Sequence, residues 1–380
     1  RTPLNSVIGF TDLLLQTELN KIQQDYMKSV NYSAESLLSL INDILDFSKI
    51  EAGKLELEIE RTDLHELLAQ IIEMVKFKLM DNDIELLLYI SKEIPKFVYT
   101  DEGRIRQILV NLMSNATKFT KQGEIEIGLH CLQKKETEQK MTVRFEVRDT
   151  GIGISDTKQE HIFEAFSQED TSTTRSYGGT GLGLTISNQL LALMNSTMQL
   201  ESVQGEGSSF YFDLEVDYEH DESMEQPDAI DGIHTMLVID DNLRNLEIVE
   251  AMMVAYDINV DTVSNGIEAL SKIQSDENYY DAVLMDYSMP FMDGKHVAKQ
   301  IRENLKLDAG DLPIFMMHPM LSEKEIKHII SKYDIVDFLQ KPLIPNEVFS
   351  ALATLKNPSK PNLHPTDDTL EQLSTTKVNG

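Results

Sequence analysis

The sequence predicts a multidomain chain of α+β and α/β type: a helical hairpin, an α/β sandwich with helices over a mixed sheet, and a doubly wound (βα)5 domain. Three observations carry that reading. A heptad-like apolar seam runs through residues 27–44. Strand and helix patterns mix between residues 61 and 216, around two glycine clusters. From residue 233 to 356, short apolar strand segments alternate with helical ones. At 380 residues the chain is long enough for two or three domains.

Residues 1–60 make the expected hairpin domain. In its second helix Met27, Val30, Ala34, Leu37, Ile41 and Ile44 follow alternating steps of three and four, and Leu38 and Leu45 widen the stripe. Leu4, Ile8 and Leu15 give the first helix a face of its own. Two helices alone bury little. Either the hairpin packs on its own chain or a second copy completes a four-helix bundle. Periodicity leaves both open.

Residues 61–216 hold the strand segments LLLYI, EIEIGLHCL, MTVRFEVRD, MQLESVQ and SSFYFDLEV, by alternation and β-branched content. DLHELLAQIIEMVKFKL and GRIRQILVNLMSNATKF read as helices. Asp149 ends the alternating run MTVRFEVRDT, where its carboxylate can accept from an adenine amino group. Gly151 and Gly153 follow it. Gly178, Gly179, Gly181 and Gly183, with Thr180 and Leu182 between them, lead into the helical segment TISNQLLALM. A glycine-rich turn opening onto a helix N-terminus is a natural phosphate cradle. Asn111 and Asn115 are four apart and share a helix face, with Lys118 on nearly the same side. Two amides and a cation facing such a cradle suit a nucleotide with Mg²⁺, a hard ion that prefers oxygen. Phe163 and Phe166 read as buried anchors of a lid.

Residues 217–232 are acidic without Lys or Arg, the pattern of a solvated linker. In the domain of residues 233–356, TMLVI, INVDTV, AVLM, PIFMM and IVDFL are strands separated by helices, as a parallel doubly wound sheet requires. Functional groups in such sheets gather at the carboxyl ends of strands. Asp240 and Asp241 end the first strand and Asp286 the third, while Lys341 ends the fifth beside Pro342, a place for a cis bond. Three carboxylates in one crevice repel unless a cation sits among them, and Mg²⁺ is the natural choice. Residues 357–380 read as a disordered tail or a linker.

The formal net charge of −30 argues against nucleic acid or an anionic membrane as a direct partner. A single cysteine, Cys131, excludes an internal disulfide and fits a reducing, cytoplasmic setting. No apolar run approaches the roughly 20 residues that span a bilayer. The chain starts at Arg1 without an initiator Met, which leaves room for a sensor or membrane segment upstream.

These motifs resemble those of hybrid sensor histidine kinases. NLMSNATKFT resembles the N box, DTGIGI the G1 box, IFEAFSQ the F box and GGTGLGL the G2 box, in the family's order and spacing. The resemblance implies a Bergerat-type fold that binds ATP and Mg²⁺. Asp149 would meet adenine, Asn115 the metal with Asn111 beside it, and Lys118 and Arg175 the phosphates. RTPLNSVIGFTDLL resembles the H box, usually S-H-E-x-R-T-P-L-N, and FSKIEAGKLELE the end of the second helix of the same hairpin. This implies a homodimer. The phosphoacceptor histidine would fall just upstream of Arg1, and none of the nine histidines present lies in such a motif. Autophosphorylation of the chain as given is therefore not expected. Thr2 falls where similar kinases carry a residue that supports dephosphorylation of the receiver.

The third domain resembles a response-regulator receiver. The resemblance makes Asp286 the phosphoacceptor, Asp240 and Asp241 metal ligands beside it, Lys341 the phosphoryl contact and Phe338 the aromatic switch. His318 departs from the pattern, standing where receivers usually carry Thr or Ser. It either donates to the acyl phosphate or points to solvent. The implied flow runs from ATP to a histidine and on to Asp286, or to a downstream receiver or phosphotransfer protein. The rival readings are an ATP-binding scaffold that accepts phosphate passively and a Bergerat-type ATPase clamp.

Overall fold

The computed structural model describes residues 2–79, 83–164, 181–219, 232–254, 256–275, 280–318 and 321–356. They form two compact units, drawn from residues 1–84 with 94–219 and from residues 85–93 with 220–380; the first holds the hairpin and most of a seven-stranded sheet, the second a five-stranded sheet.

In the first unit, α1 (Thr2–Leu15) and α2 (Lys21–Glu51) make the hairpin. A capping box starts α2: the Asn20 side chain accepts from the Gln23 N–H, and the Gln23 side chain accepts from the Asn20 N–H. Gly53, at φ 62°, turns the chain away after it. The predicted seam of α2 is split by the packing. Ala34 is buried and Met27 and Ile41 half-buried, whereas Val30, Leu37 and Ile44 stay 43–52% exposed. On α1, Leu4, Ile8 and Leu15 are half-buried, and Phe10 is 67% exposed. A second apolar strip therefore faces away from the hairpin's own core.

The seven-stranded sheet comprises β1 (Glu60–Asp63), β2 (Asp83–Ile90), β3 (Phe97–Thr100), β4 (Gln122–Lys135), β5 (Lys140–Asp149), β6 (Gln199–Val203) and β7 (Gly207–Tyr218). Its order is β1-β3-β7-β5-β4-β2, with β6 also on β7. The pairings β1–β3, β3–β7, β7–β5, β5–β4 and β6–β7 are antiparallel. Sequence patterns miss β1 and β3, which have four residues each. β7 runs through Tyr218, past the expected boundary at 216.

Helices α3 (Leu64–Leu79) and α4 (Glu102–Phe119) supply the core with Leu64, Leu68, Ile71, Ile105, Ile108 and Leu112, all at most 1% exposed. Strand β5 alternates strictly: Met141, Val143, Phe145 and Val147 point in, and Phe145 stacks on Phe212 with ring centroids 5.0 Å apart. Two short links join the hairpin to this core. Asp46 of α2 accepts from Gln107 Nε2 at 3.0 Å and Arg104 Nη1 at 3.4 Å, both on α4.

In the second unit, β8 (Thr235–Ile239), β9 (Asn259–Val263), β10 (Ala282–Asp286), β11 (Ile314–His318) and β12 (Asp337–Gln340) lie in the order β12-β11-β10-β8-β9. Every pairing is parallel. This is the doubly wound order that the βα repeats predict, and ligands of such sheets bind where the order reverses, beyond β8 and β10. Both faces carry a core, one around Met236, Leu284 and Phe315, the other around Ile239, Met285 and Ile314, so the strands read as unbroken apolar runs. The Lys341–Pro342 peptide is cis.

On the outer face of β5, His130 Nε2 lies 3.1 Å from Glu146, and the Ser209 hydroxyl donates to the same carboxylate. The His130 hydrogen bond holds the Glu146 carboxyl down to about 2, against the opposing effect of burial and with help from Ser209. A carboxylate with a depressed pKa stabilises the fold above its unfolded value and loses that contribution as pH falls through the folded one. After allowance for solvent screening, Glu146→Gln is expected to cost about 1–2 kcal/mol at pH 7. The gap to the unmodified chain should close between pH 4.5 and about 2. Urea unfolding of both proteins across that range checks this, and a gap that persists to the acid end would rule the interaction out.

Candidate functional site

The first site is built at the end of β5. Strict alternation carries Asp149 onto the same inward face as Phe145 and Val147, so the carboxylate is 7% exposed. Its Oδ1 accepts from the Gly151 N–H at 2.8 Å. Burial raises its pKa, opposed by hydrogen bonds from the backbone of Gly151 and Ser208. Gly153 sits at φ 61°, and a Cβ there would lie 2.0 Å from the Val203 carbonyl oxygen, so only glycine fits this turn. The turn is further pinned by Ser202, whose hydroxyl accepts from the Ile154 N–H at 2.8 Å and donates to the Gly207 carbonyl.

Along α4 the buried positions Ile108, Leu112 and Ala116 leave Asn111, Asn115 and Lys118 together on a half-buried edge. The three do not act alike. Asn111 Nδ2 donates to Ser187 Oγ at 3.1 Å, and a Cβ on Gly183 would meet Asn111 Oδ1 at 2.3 Å. Asn111 thus clamps the start of α6 (Gly183–Leu193), which follows the short α5 (Asp156–Gln159) and the glycine-rich stretch along the chain. Gly181 has φ 69° and Leu182 is buried. Thr185 Oγ1 donates to the carbonyl of Phe163. Phe163 itself is half-buried, less enclosed than an anchor would be, because α6 holds its backbone instead. Phe166, Arg175, Gly178, Gly179 and Thr180 lie outside the described residues. Thr2 is the first residue of α1.

The second site lies at the carboxyl ends of β8, β10 and β12. Asp240, Asp241 and Asp286 bring ligand oxygens within 4.8 Å of one another, and Asp240 and Asp286 are buried while Asp241 is exposed. Lys341 Nζ lies 2.8 Å from Asp240 Oδ2 and 2.9 Å from Asp286 Oδ2. Burial pushes Asp240 up to about 7 against the pull of Lys341, and burial likewise raises Asp286. For Lys341, burial works downward, but the Asp240 and Asp286 carboxylates override it and raise the ammonium well above its usual range. Three carboxylates against one ammonium leave an excess negative charge among oxygen donors, a donor set that fits a hard divalent cation.

Two positioning residues escape sequence reasoning. Asn245 is buried and donates to Asp240 Oδ2 at 3.1 Å. Ser187 is 2% exposed and receives Asn111. Both act through contacts that no local pattern marks. His318, left open between the pocket and solvent, is 6% exposed, so the solvent alternative does not hold. Its ring packs edge-on against Phe338, with centroids 5.5 Å apart.

Comparison with known proteins agrees with this geometry. The His Kinase A (phospho-acceptor) domain matches residues 1–53. The histidine kinase-, DNA gyrase B-, and HSP90-like ATPase family matches 100–218, and the response regulator receiver domain 236–353. The combination defines a hybrid sensor histidine kinase, and the chain belongs to that family. The autoinducer 2 sensor kinase/phosphatase LuxQ of Vibrio cholerae is 35% identical over 81% of this chain and 36% of its own length. The signal transduction histidine-protein kinase BarA of Escherichia coli is 42% identical over 57% of this chain and 23% of its own. Full-length ShkA, crystallised with AMPPNP, superposes with a TM-score of 0.71 and 25% identity, covering 95% of this chain and 70% of that one. The chain therefore spans little more than a third of the length of LuxQ. No helix among the described residues is long and apolar enough to cross a membrane.

Removing the one cation from a buried acid pair strands the pair. Lys341→Met is expected to destabilise the second unit by about 3–5 kcal/mol in metal-free buffer. An unchanged urea midpoint would show that Lys341 does not hold the carboxylates.

Proposed function

We propose that this chain is the catalytic core and receiver of a phosphorelay kinase that works as a homodimer. Mg·ATP binds along Asp149, Asn115, Lys118 and the glycine-rich turns, including those outside the described residues. A histidine attacks the γ-phosphorus, the P–O bond to ADP breaks, and a P–N bond forms. Asp286 then attacks the phosphohistidine, the P–N bond breaks, and an acyl phosphate forms. The single observation that carries this reading is the buried Asp240–Asp286–Lys341 cluster, within the same chain as the Asp149 cradle.

The residues divide the work. Asp149 selects the adenine, and Asn111 holds α6 in place for the phosphates. Lys341 Nζ donates to Asp286 and is placed to stabilise charge on the incoming phosphoryl group. Asp240, Asp241 and Asp286 would hold Mg²⁺, which would supply positive charge to the incoming phosphoryl group. Thr2, at the start of α1, is assigned to the opposing activity, in which water hydrolyses the receiver acyl phosphate and releases inorganic phosphate. The exposed strip of Phe10, Val30, Leu37 and Ile44 supports pairing of two hairpins into a four-helix bundle. The domain limits proposed are 1–60, 61–218 and 233–356, with the segments between and beyond them; β7 carries the second limit past the expected 216. A cytoplasmic setting, with any membrane attachment through a segment outside this chain, fits the single cysteine.

Two measurements test the halves separately. Calorimetry should show Asn115→Ala losing the Mg²⁺-dependent part of ATP affinity, roughly 10–100-fold; equal losses with and without Mg²⁺ would remove Asn115 from the metal. Acetyl phosphate with Mg²⁺ should label the chain at Asp286, and Asp286→Asn should reduce labelling to background because an amide is no nucleophile. Undiminished labelling of that variant, mapped by mass spectrometry, would move the acceptor elsewhere.

A further inference from the structure

The loop after β10 presents an unusual side chain. Phe291 is the most exposed large apolar residue among those described, at 104% of its reference area. Its φ is 66°, in the left-handed region that bulky residues avoid. The Met292 N–H donates to the Pro290 carbonyl at 2.7 Å, so Phe291 is the apex of a γ-turn with positive φ, a rare and strained form.

The surroundings hold that apex outward. Met289 is buried on one side, and Met292 packs against the core on the other. A Cβ on Gly294 would lie 2.5 Å from the Asp286 carbonyl oxygen, so the loop's return is locked against the end of β10. Asp293 caps the helix that follows by accepting from the His296 N–H. The loop is fixed on both flanks by packing and capping, and among the described residues none covers the phenyl ring. Strain held at one position and apolar area left in water are both costs to the fold.

The ring stands five residues beyond Asp286, at the carboxyl ends of the strands. Leu243, 67% exposed, begins the helix after β8, the strand that pairs with β10. Two exposed apolar side chains thus lie on the loops that bound the acidic pocket. The pocket itself offers only charge.

We propose that Phe291 is a docking residue for the protein that delivers phosphate to Asp286, covered in the transfer complex by the apolar flank of the helix that carries the phosphohistidine. This rests on the receiver reading given above. In the complex, Asp286 Oδ attacks phosphorus, the P–N bond breaks, and the imidazole nitrogen keeps the electron pair and takes a proton from water. Phe291 touches the donor protein and not the reacting atoms. It is a recognition residue, needed by a protein donor and not by a small one.

The donor in the test is the chain extended upstream by the Ser-His-Glu segment, carrying Asp286→Asn and autophosphorylated with ATP. The acceptors are the chain itself, Phe291→Gly and Phe291→Leu. Glycine accommodates the positive φ, so Phe291→Gly should melt no lower than the unmodified chain and should take phosphate from acetyl phosphate within about twofold of its rate. Its transfer rate from the protein donor should fall about tenfold or more, as loss of a buried aromatic anchor implies. Phe291→Leu, which keeps an apolar side chain, should stay within about threefold. Equal transfer to the chain and to Phe291→Gly from the protein donor would overturn the proposal. So would a Phe291→Gly defect with acetyl phosphate as large as that with the protein. An unmodified chain labelled by neither donor would overturn the receiver reading itself.

Discussion

Asp240 and Asp286 are withdrawn from water together with Lys341, and the second unit is arranged around that fact. Taking charges out of water is costly unless they are paired, and a single ammonium shared among several carboxylates leaves the pairing incomplete. Asn245 supplies part of what is missing to Asp240, and the Asn242 N–H donates to its other oxygen at 2.9 Å. The remaining imbalance is a built-in demand for positive charge at the end of β10. The fold holds groups that would separate in water, and it does so where the strand order reverses.

What the sequence discloses follows the range of the interaction. Strand β5 and the βα repeats were legible because burial imposes a period that each residue reports locally. Asp149 could be placed inside by the same count. β1 and β3 could not, since ERTD and FVYT are short, and β1 is largely polar; their pairing with each other is what makes them strands. Asn111 shows the limit for the site. The helix period puts it beside Asn115 correctly, yet its amide is engaged by Ser187, 76 residues away, and only the fold brings those together. His318 is similar. Its departure from the receiver pattern is visible in the sequence, but its burial against Phe338 is a property of the sheet.

The hairpin illustrates how one pattern serves two surfaces. Met27, Ala34 and Ile41 recur every seven residues and turn inward, whereas Val30, Leu37 and Ile44 recur at the same interval and turn outward. A single heptad repeat therefore specifies both the intrachain contact and an apolar strip that the described residues leave uncovered.

The links from Asp46 to Arg104 and Gln107 give α4 a mechanical role. Its 18 residues form a rod about 27 Å long. One end is tethered to the hairpin, and the half closer to its other end carries Asn111, Asn115 and Lys118. A rod tilts as a whole when one end is pushed. Rotation or bending of α2 at Asp46 would swing the edge that carries Asn111, Asn115 and Lys118 through a lever.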